Sequence, residues 1–327
     1  MTAKKKDDGT ENESNADSSG DMSGHDHSKM TINSKRNEKD TTRENGIALY
    51  NSTDNRFISN KIEKVLDGIY IEKSSRNQFL KNKVTDSRYG FHLMFSDNLT
   101  IVQNEASRNF VGAMVMETSE TEIKGNQFAD NKTNVNATGL QIYQSEKTSV
   151  SNNHLSGNRI GISVEQAENN QITDNQVEKN FIGIRLLRAK NNQITSNQFV
   201  SNVSDASATS SSKNKLDGNY WDSAVKVDRD KNGISDLAFE TNPYFASLAE
   251  ENPSYQFFFG APGLSITEKM LKTESKEILT DQKPVMTLQE TKTVKQHSSL
   301  WVFVIAIVMI ITSSFIFIKG RITNEKN

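Results

Sequence analysis

One imidazole and three thioethers, His92, Met94, Met114 and Met116, stand in two short segments of this chain. The segments read Arg88-Tyr89-Gly90-Phe91-His92-Leu93-Met94-Phe95-Ser96 and Gly112-Ala113-Met114-Val115-Met116. The chain has no cysteine, so any metal site must use His, Met or oxygen, and a His/Met set favours copper, Cu(I) above all, over zinc. Side chains two apart on an extended backbone are about 6.6 Å apart, and neighbouring strands about 4.8 Å. Flexible thioethers on two adjacent strands therefore reach one ion. An outward patch of methionines serves equally to dock a protein, and the two roles combine if the docked partner hands over the metal.

A second, oxygen-rich constellation is Asp228-Arg229-Asp230-Lys231-Asn232-Gly233-Ile234-Ser235-Asp236. Alternate oxygen donors (Asp228, Asp230, Asn232, the Ile234 carbonyl, Asp236) around a glycine turn are what calcium takes. The closing glutamate of a full EF-hand is out of register, since Phe239 stands at position twelve, and a plain Asx-rich turn is the alternative. His25, His27 and Met30 form a short tract that also suits copper, or is a solvated linker. Glycoside hydrolysis needs paired carboxylates. The outward columns hold only Glu72 and Glu165, with Arg185 as a lone basic neighbour for lyase chemistry, so the expectation is a protein that is not an enzyme.

The elements that position these residues follow from a repeat. Gly46, Gly68, Gly90, Gly112, Gly139, Gly161 and Gly183 are 22 residues apart except for one interval of 27, and each is followed fourteen positions on by asparagine, from Asn60 to Asn197. The first and third residues after each glycine are apolar (Phe91 and Leu93, Ala113 and Val115), and the second and fourth vary. That is the period of a strand with one buried face. Further apolar columns fall eleven and sixteen residues after the glycine, such as Phe79 and Val84. Three short strands per unit predict an all-β, right-handed parallel β-helix solenoid of ~22-residue rungs. Phe91, Leu93, Ala113 and Val115 then fill the interior, and the imidazole and thioethers project to solvent. The asparagines are read as left-handed corners whose amides bond between rungs. The long interval places an insertion within residues 130–138 that would rim the His/Met patch.

The ends divide from the coil. Residues 1–45 are polar and contain the His tract, 46–200 are rungs, 201–262 a closing segment with the aspartate loop, and 263–299 a charged stalk. Leu300 to Ile318 is an uncharged run of nineteen residues, long enough to cross a bilayer. Lys319 and Arg321 behind it predict a cytoplasmic tail over 319–327 and repeats on the extracytoplasmic side. The chain shows no apolar export signal at its start, so a missing leader and missing first rungs are expected. A formal charge of −2 gives no basic excess, so no nucleic-acid partner is expected.

The two His/Met segments, together with Asp67-Gly68-Ile69-Tyr70-Ile71-Glu72 and Gly218-Asn219-Tyr220-Trp221-Asp222 and the aspartate loop after it, resemble the NosD family over about residues 43–262. That resemblance implies an extracytoplasmic accessory protein for maturation of the copper centre of nitrous-oxide reductase. It implies as partners the ATPase and permease of an ABC transporter, a copper-chaperone lipoprotein and the reductase itself, with His92, Met94, Met114 and Met116 at the family's motif positions. The C-terminal span departs from the family and suits a cell with no outer membrane. The competing reading is a membrane-anchored polysaccharide-binding module with Tyr50, Tyr70 and Tyr143 as stacking platforms.

Overall fold

The computed structural model describes residues 43–241, 254–255 and 278–288. Its strands form three parallel sheets of eight, seven and eight strands, each strand hydrogen-bonded to its counterpart one repeat away. This is the expected right-handed parallel β-helix. The first sheet carries the glycine-led strands, among them Asp67–Glu72, Tyr89–Met94, Val111–Met116 and Thr138–Tyr143. Register is fixed residue by residue. Tyr70 pairs with His92 and His92 with Met114, and Glu72 pairs with Met94 and Met94 with Met116.

The interior is built as the alternation requires. Phe91, Leu93, Ala113 and Val115 are fully buried in the main core, with Phe79, Val84 and Ile101 of the other two sheets. Glycine leads the first seven of these eight strands because the next rung comes too close for a side chain. A Cβ on Gly90 would lie 2.3 Å from the Gly112 carbonyl oxygen and 2.9 Å from the Ala106 Cβ. The five extra residues of the long interval loop out ahead of Thr138, which rejoins the sheet beside Val111.

The asparagine column behaves differently from the expectation in one respect. The left-handed corner falls one residue earlier, at Ser59, Lys81, Gln103, Gly125, Asn152, Asp174 and Ser196. The asparagines themselves form a buried ladder. Asn104 Oδ1 accepts from the backbone N–H of Asn82 at 2.8 Å and its Nδ2 at 3.0 Å, while Asn104 Nδ2 donates to Phe79 O at 2.9 Å and Asn126 Oδ1 at 3.0 Å. An amide that carries donor and acceptor together satisfies the backbone of one rung and the side chain of the next, which a buried corner demands. Two further ladders pass through Asn109, Asn131 and Asn158 and through Asn170 and Asn192.

The last rung is closed by an aromatic stack, Trp221 on Phe199 at 4.3 Å and Phe239 on Trp221 at 4.5 Å. Part of the stretch expected to be a stalk belongs to this cap. Thr280–Asp281 pairs antiparallel with Phe239–Glu240, and buried Asp281 accepts from Asn219 N at 2.9 Å and Trp221 Nε1 at 2.9 Å. A sequence without period gave no sign that 278–288 fold back on the coil. At the other end Ile47, Leu49, Phe57 and Ile62 pack only half-buried against the core. The run Leu300 to Ile318 and the tract His25 to Met30 lie outside the described residues; among those described, no helix is long and apolar enough to cross a membrane.

Candidate metal centre

His92, Met94, Met114 and Met116 occupy the second and fourth positions of two neighbouring glycine strands, so all four leave the sheet on its outer face. The parity is as the alternation predicts. Their exposure is not: relative accessibilities are 6 %, 6 %, 3 % and 5 %, so the side chains do not project freely into solvent. The three methionines form a second apolar cluster with Val111, distinct from the coil interior, and Tyr70, Tyr89, Phe110 and Tyr143 pack around it. Large side chains on successive rungs stand about 4.8 Å apart and cover one another, which single-column reading misses.

The imidazole is held from several sides. His92 Nδ1 lies 2.8 Å from Asp67 Oδ2, and the rings of Tyr89 and Tyr70 meet it edge-on at centroid distances of 4.6 and 5.1 Å. Arg88 grips the same carboxylate with two nitrogens, Nε to Oδ1 at 2.8 Å and Nη2 to Oδ2 at 2.7 Å. Asp67 is fully buried. Burial pushes its carboxyl up, but the bonds from His92 and Arg88 together outweigh that and hold it below the usual range. With Nδ1 engaged, Nε2 is the ring nitrogen left for a ligand. Asp67 stands 25 residues before His92, and only its being a lone charge in its column could have marked it.

No group of three or more His, Cys, Asp or Glu side chains is placed to hold a metal ion among the described residues. The His/Met cluster is a donor set that fits a soft ion. In the aspartate loop, Asp228 accepts from Gly233 N at 2.9 Å and Asn232 N at 3.2 Å. Asp236 accepts from Arg229 N at 2.9 Å, Asp230 from Asn232 Nδ2 at 2.8 Å, and Asn232 Oδ1 from Ile234 N at 2.7 Å. These contacts set the loop's shape, and the bond from Ile234 N to Asn232 is an Asx turn. The Gly233 bond first, and the neighbouring donors after it, hold the Asp228 carboxyl below its ordinary value.

The remaining singled-out residues are dispersed. Glu72 accepts from the Tyr70 hydroxyl at 2.8 Å, Glu165 pairs with Arg188 at 2.8 Å, and Arg185 donates to Ser163 Oγ at 3.2 Å. Tyr50, 57 % exposed, lies beside Tyr70 at a ring-centroid distance of 5.5 Å, and Tyr70 and Tyr143 both pack on the methionine cluster. A shallow cavity of about 550 Å³, lined by Gln166, Glu168, Arg188 and Lys190 among others, includes none of the four soft donors.

Residues 26–233, more than half of the chain, match the family described as Periplasmic copper-binding protein (NosD). The chain belongs to the NosD family. A search of curated proteins returns no match. Among solved structures, NosD-family architecture as seen here is similar to the A-modules of the mannuronan C-5 epimerases AlgE4 and AlgE6 of Azotobacter vinelandii. Identities are 16 % and 15 %, TM-scores 0.34 and 0.38, with 52 % and 54 % of this chain covered and 56 % and 57 % of theirs. A variant of the periplasmic alginate epimerase AlgG is similar at 18 % identity and TM-score 0.31, over 55 % of this chain and 45 % of that one. The chain thus spans little more than half the length of the first two.

Proposed function

We propose that this NosD-family chain is an extracytoplasmic, non-enzymatic accessory protein that handles copper as cargo for the copper centre of nitrous-oxide reductase. The observation that carries this reading is the placement of one oriented imidazole and three thioethers on the outer face of two adjacent rungs, the three methionines in one cluster. The family description, a periplasmic copper-binding protein, supports it. The rod supplies rigidity, and the cluster supplies soft donors in a nearly dry patch, which favours Cu(I) over harder ions. Low accessibility suits transfer from a docked copper-chaperone lipoprotein better than capture from solution. The ABC ATPase and permease, the reductase, and anchoring through Leu300 to Ile318 complete the proposal. Calcium in the aspartate loop is a separate proposal resting on its donor spacing alone.

Because the four side chains are packed, alanine would empty the cluster. Met→Leu at the three methionines with His92→Gln keeps volume while removing the donors, at a cost of under about 1.5 kcal/mol for each methionine exchange. In cells producing the reductase, this quadruple variant should accumulate to normal levels and leave the reductase deficient in copper. Full copper loading of the reductase would refute the assignment.

A further inference from the structure

The repeat supplies its own controls for Asp67. The residues in register above it, Tyr89, Val111, Thr138, Ile160, Ile182 and Ser204, are all uncharged. The coil therefore does not require a carboxylate at this position, and a fully buried one is costly unless something uses it. An arginine does not require it either. Arg159 stands two residues before its glycine as Arg88 does, and Thr138 precedes it by the same 21 residues as Asp67 precedes Arg88. In that rung Arg159 stacks on Phe181, its Cζ 3.5 Å from the ring centroid. Its Nε and Nη2, the nitrogens that in Arg88 grip the carboxylate, have no hydrogen-bond partner. What distinguishes the Asp67 rung is the side chain 25 positions on: His92 there, Ser163 in the other.

Resting on the copper reading above, we propose that Asp67, locked in place by Arg88, is a positioning residue that keeps a proton on His92 Nδ1 and so fixes the orientation of the ring. Nε2 is then the ring nitrogen left for a ligand. A carboxylate that accepts from the distal nitrogen of a ligating histidine fixes its tautomer and raises its basicity, and losing it costs about 10–100-fold in metal affinity. Arg88 spans the carboxylate in two-pronged geometry, so Asp67 cannot swing away from the ring when Nε2 is engaged.

The test has a metal-free arm and a metal arm. In the full chain labelled with ¹⁵N-histidine, His92, assigned by its loss in His92→Gln, should show the protonated nitrogen at Nδ1. In Asp67→Ala the signal should move to a tautomer mixture. Cu(I) affinity by competition with a colorimetric chelator should fall about 10–100-fold in Asp67→Ala, and Asp67→Ala should have no further effect in a His92→Gln background. If Asp67→Ala does not fold, Arg88→Met, which frees the carboxylate to turn, should show the same two changes in smaller measure. A proton on Nε2 in the parent protein, or undiminished affinity in Asp67→Ala, overturns the proposal. Absence of Cu(I) binding in the parent would instead strike the copper reading and leave the tautomer result to stand or fall alone.

Discussion

Replacing Asn104 by alanine removes four hydrogen bonds from the middle of the coil, in the same rung as His92 and Met94. The Asn82 backbone N–H and Nδ2 lose their acceptor at 2.8 and 3.0 Å, and Phe79 O and Asn126 Oδ1 lose a donor at 2.9 and 3.0 Å. Asn104 is only 2 % exposed, so water does not replace these partners. At about 0.5–1.5 kcal/mol net for each bond the loss is about 2–6 kcal/mol, a large part of the 5–15 kcal/mol that holds an ordinary domain together. Asn60 at the ladder's end donates from its side chain to Asn82 Oδ1 at 2.8 Å, so Asn60→Ala should cost about 1 kcal/mol. Urea unfolding followed by far-UV circular dichroism compares the two directly. Equal midpoints for both variants, or a loss below about 1 kcal/mol for Asn104→Ala, would refute the claim that the ladder carries the stack.

Two further outcomes follow from the closing end. Burial, with repulsion from Asp222 added, raises the Asp205 carboxyl to about 6 against the bonds from Ser223 and Asn202. A raised carboxyl favours the folded state below its unfolded value near 4 and loses that advantage as pH climbs through about 6. Asp205→Asn should therefore match the parent at pH 4 and exceed it at pH 7 by up to about 3 kcal/mol, the worth of some two pH units, as thermal melts at the two pH values will show. Asp281→Ala should free Trp221 Nε1 and the Asn219 N–H, loosening the cap. A protease cut appearing near residues 278–288 without loss of the β-sheet signal is the expected readout, and unchanged proteolysis would count against the cap.

The fold was legible because each rung repeats the same physical problem. Glycine where the next rung's carbonyl approaches, apolar residues at the first and third positions, and asparagine fourteen residues on are all local choices that recur at one interval. What escaped was set by neighbours across rungs. Asparagine's tolerance of the left-handed region suggested it as the corner, but its amide is engaged in the ladder and the preceding residue turns instead. The direction of the methionines was correct, while their burial depends on Tyr70, Tyr89, Phe110 and Tyr143 closing over them. Asp67 looks like a strand-start residue in sequence, and becomes a partner of His92 only when the coil brings positions 25 apart together.

The most direct test of copper handling is X-ray absorption at the copper edge on the full chain loaded with one equivalent of Cu(I), beside the variant with Met94, Met114 and Met116 as leucine and His92 as glutamine. Sulfur scatterers with an imidazole in the parent, lost in the variant, are the predicted result. A copper environment of oxygen and nitrogen alone, or one unchanged between the two proteins, would contradict it.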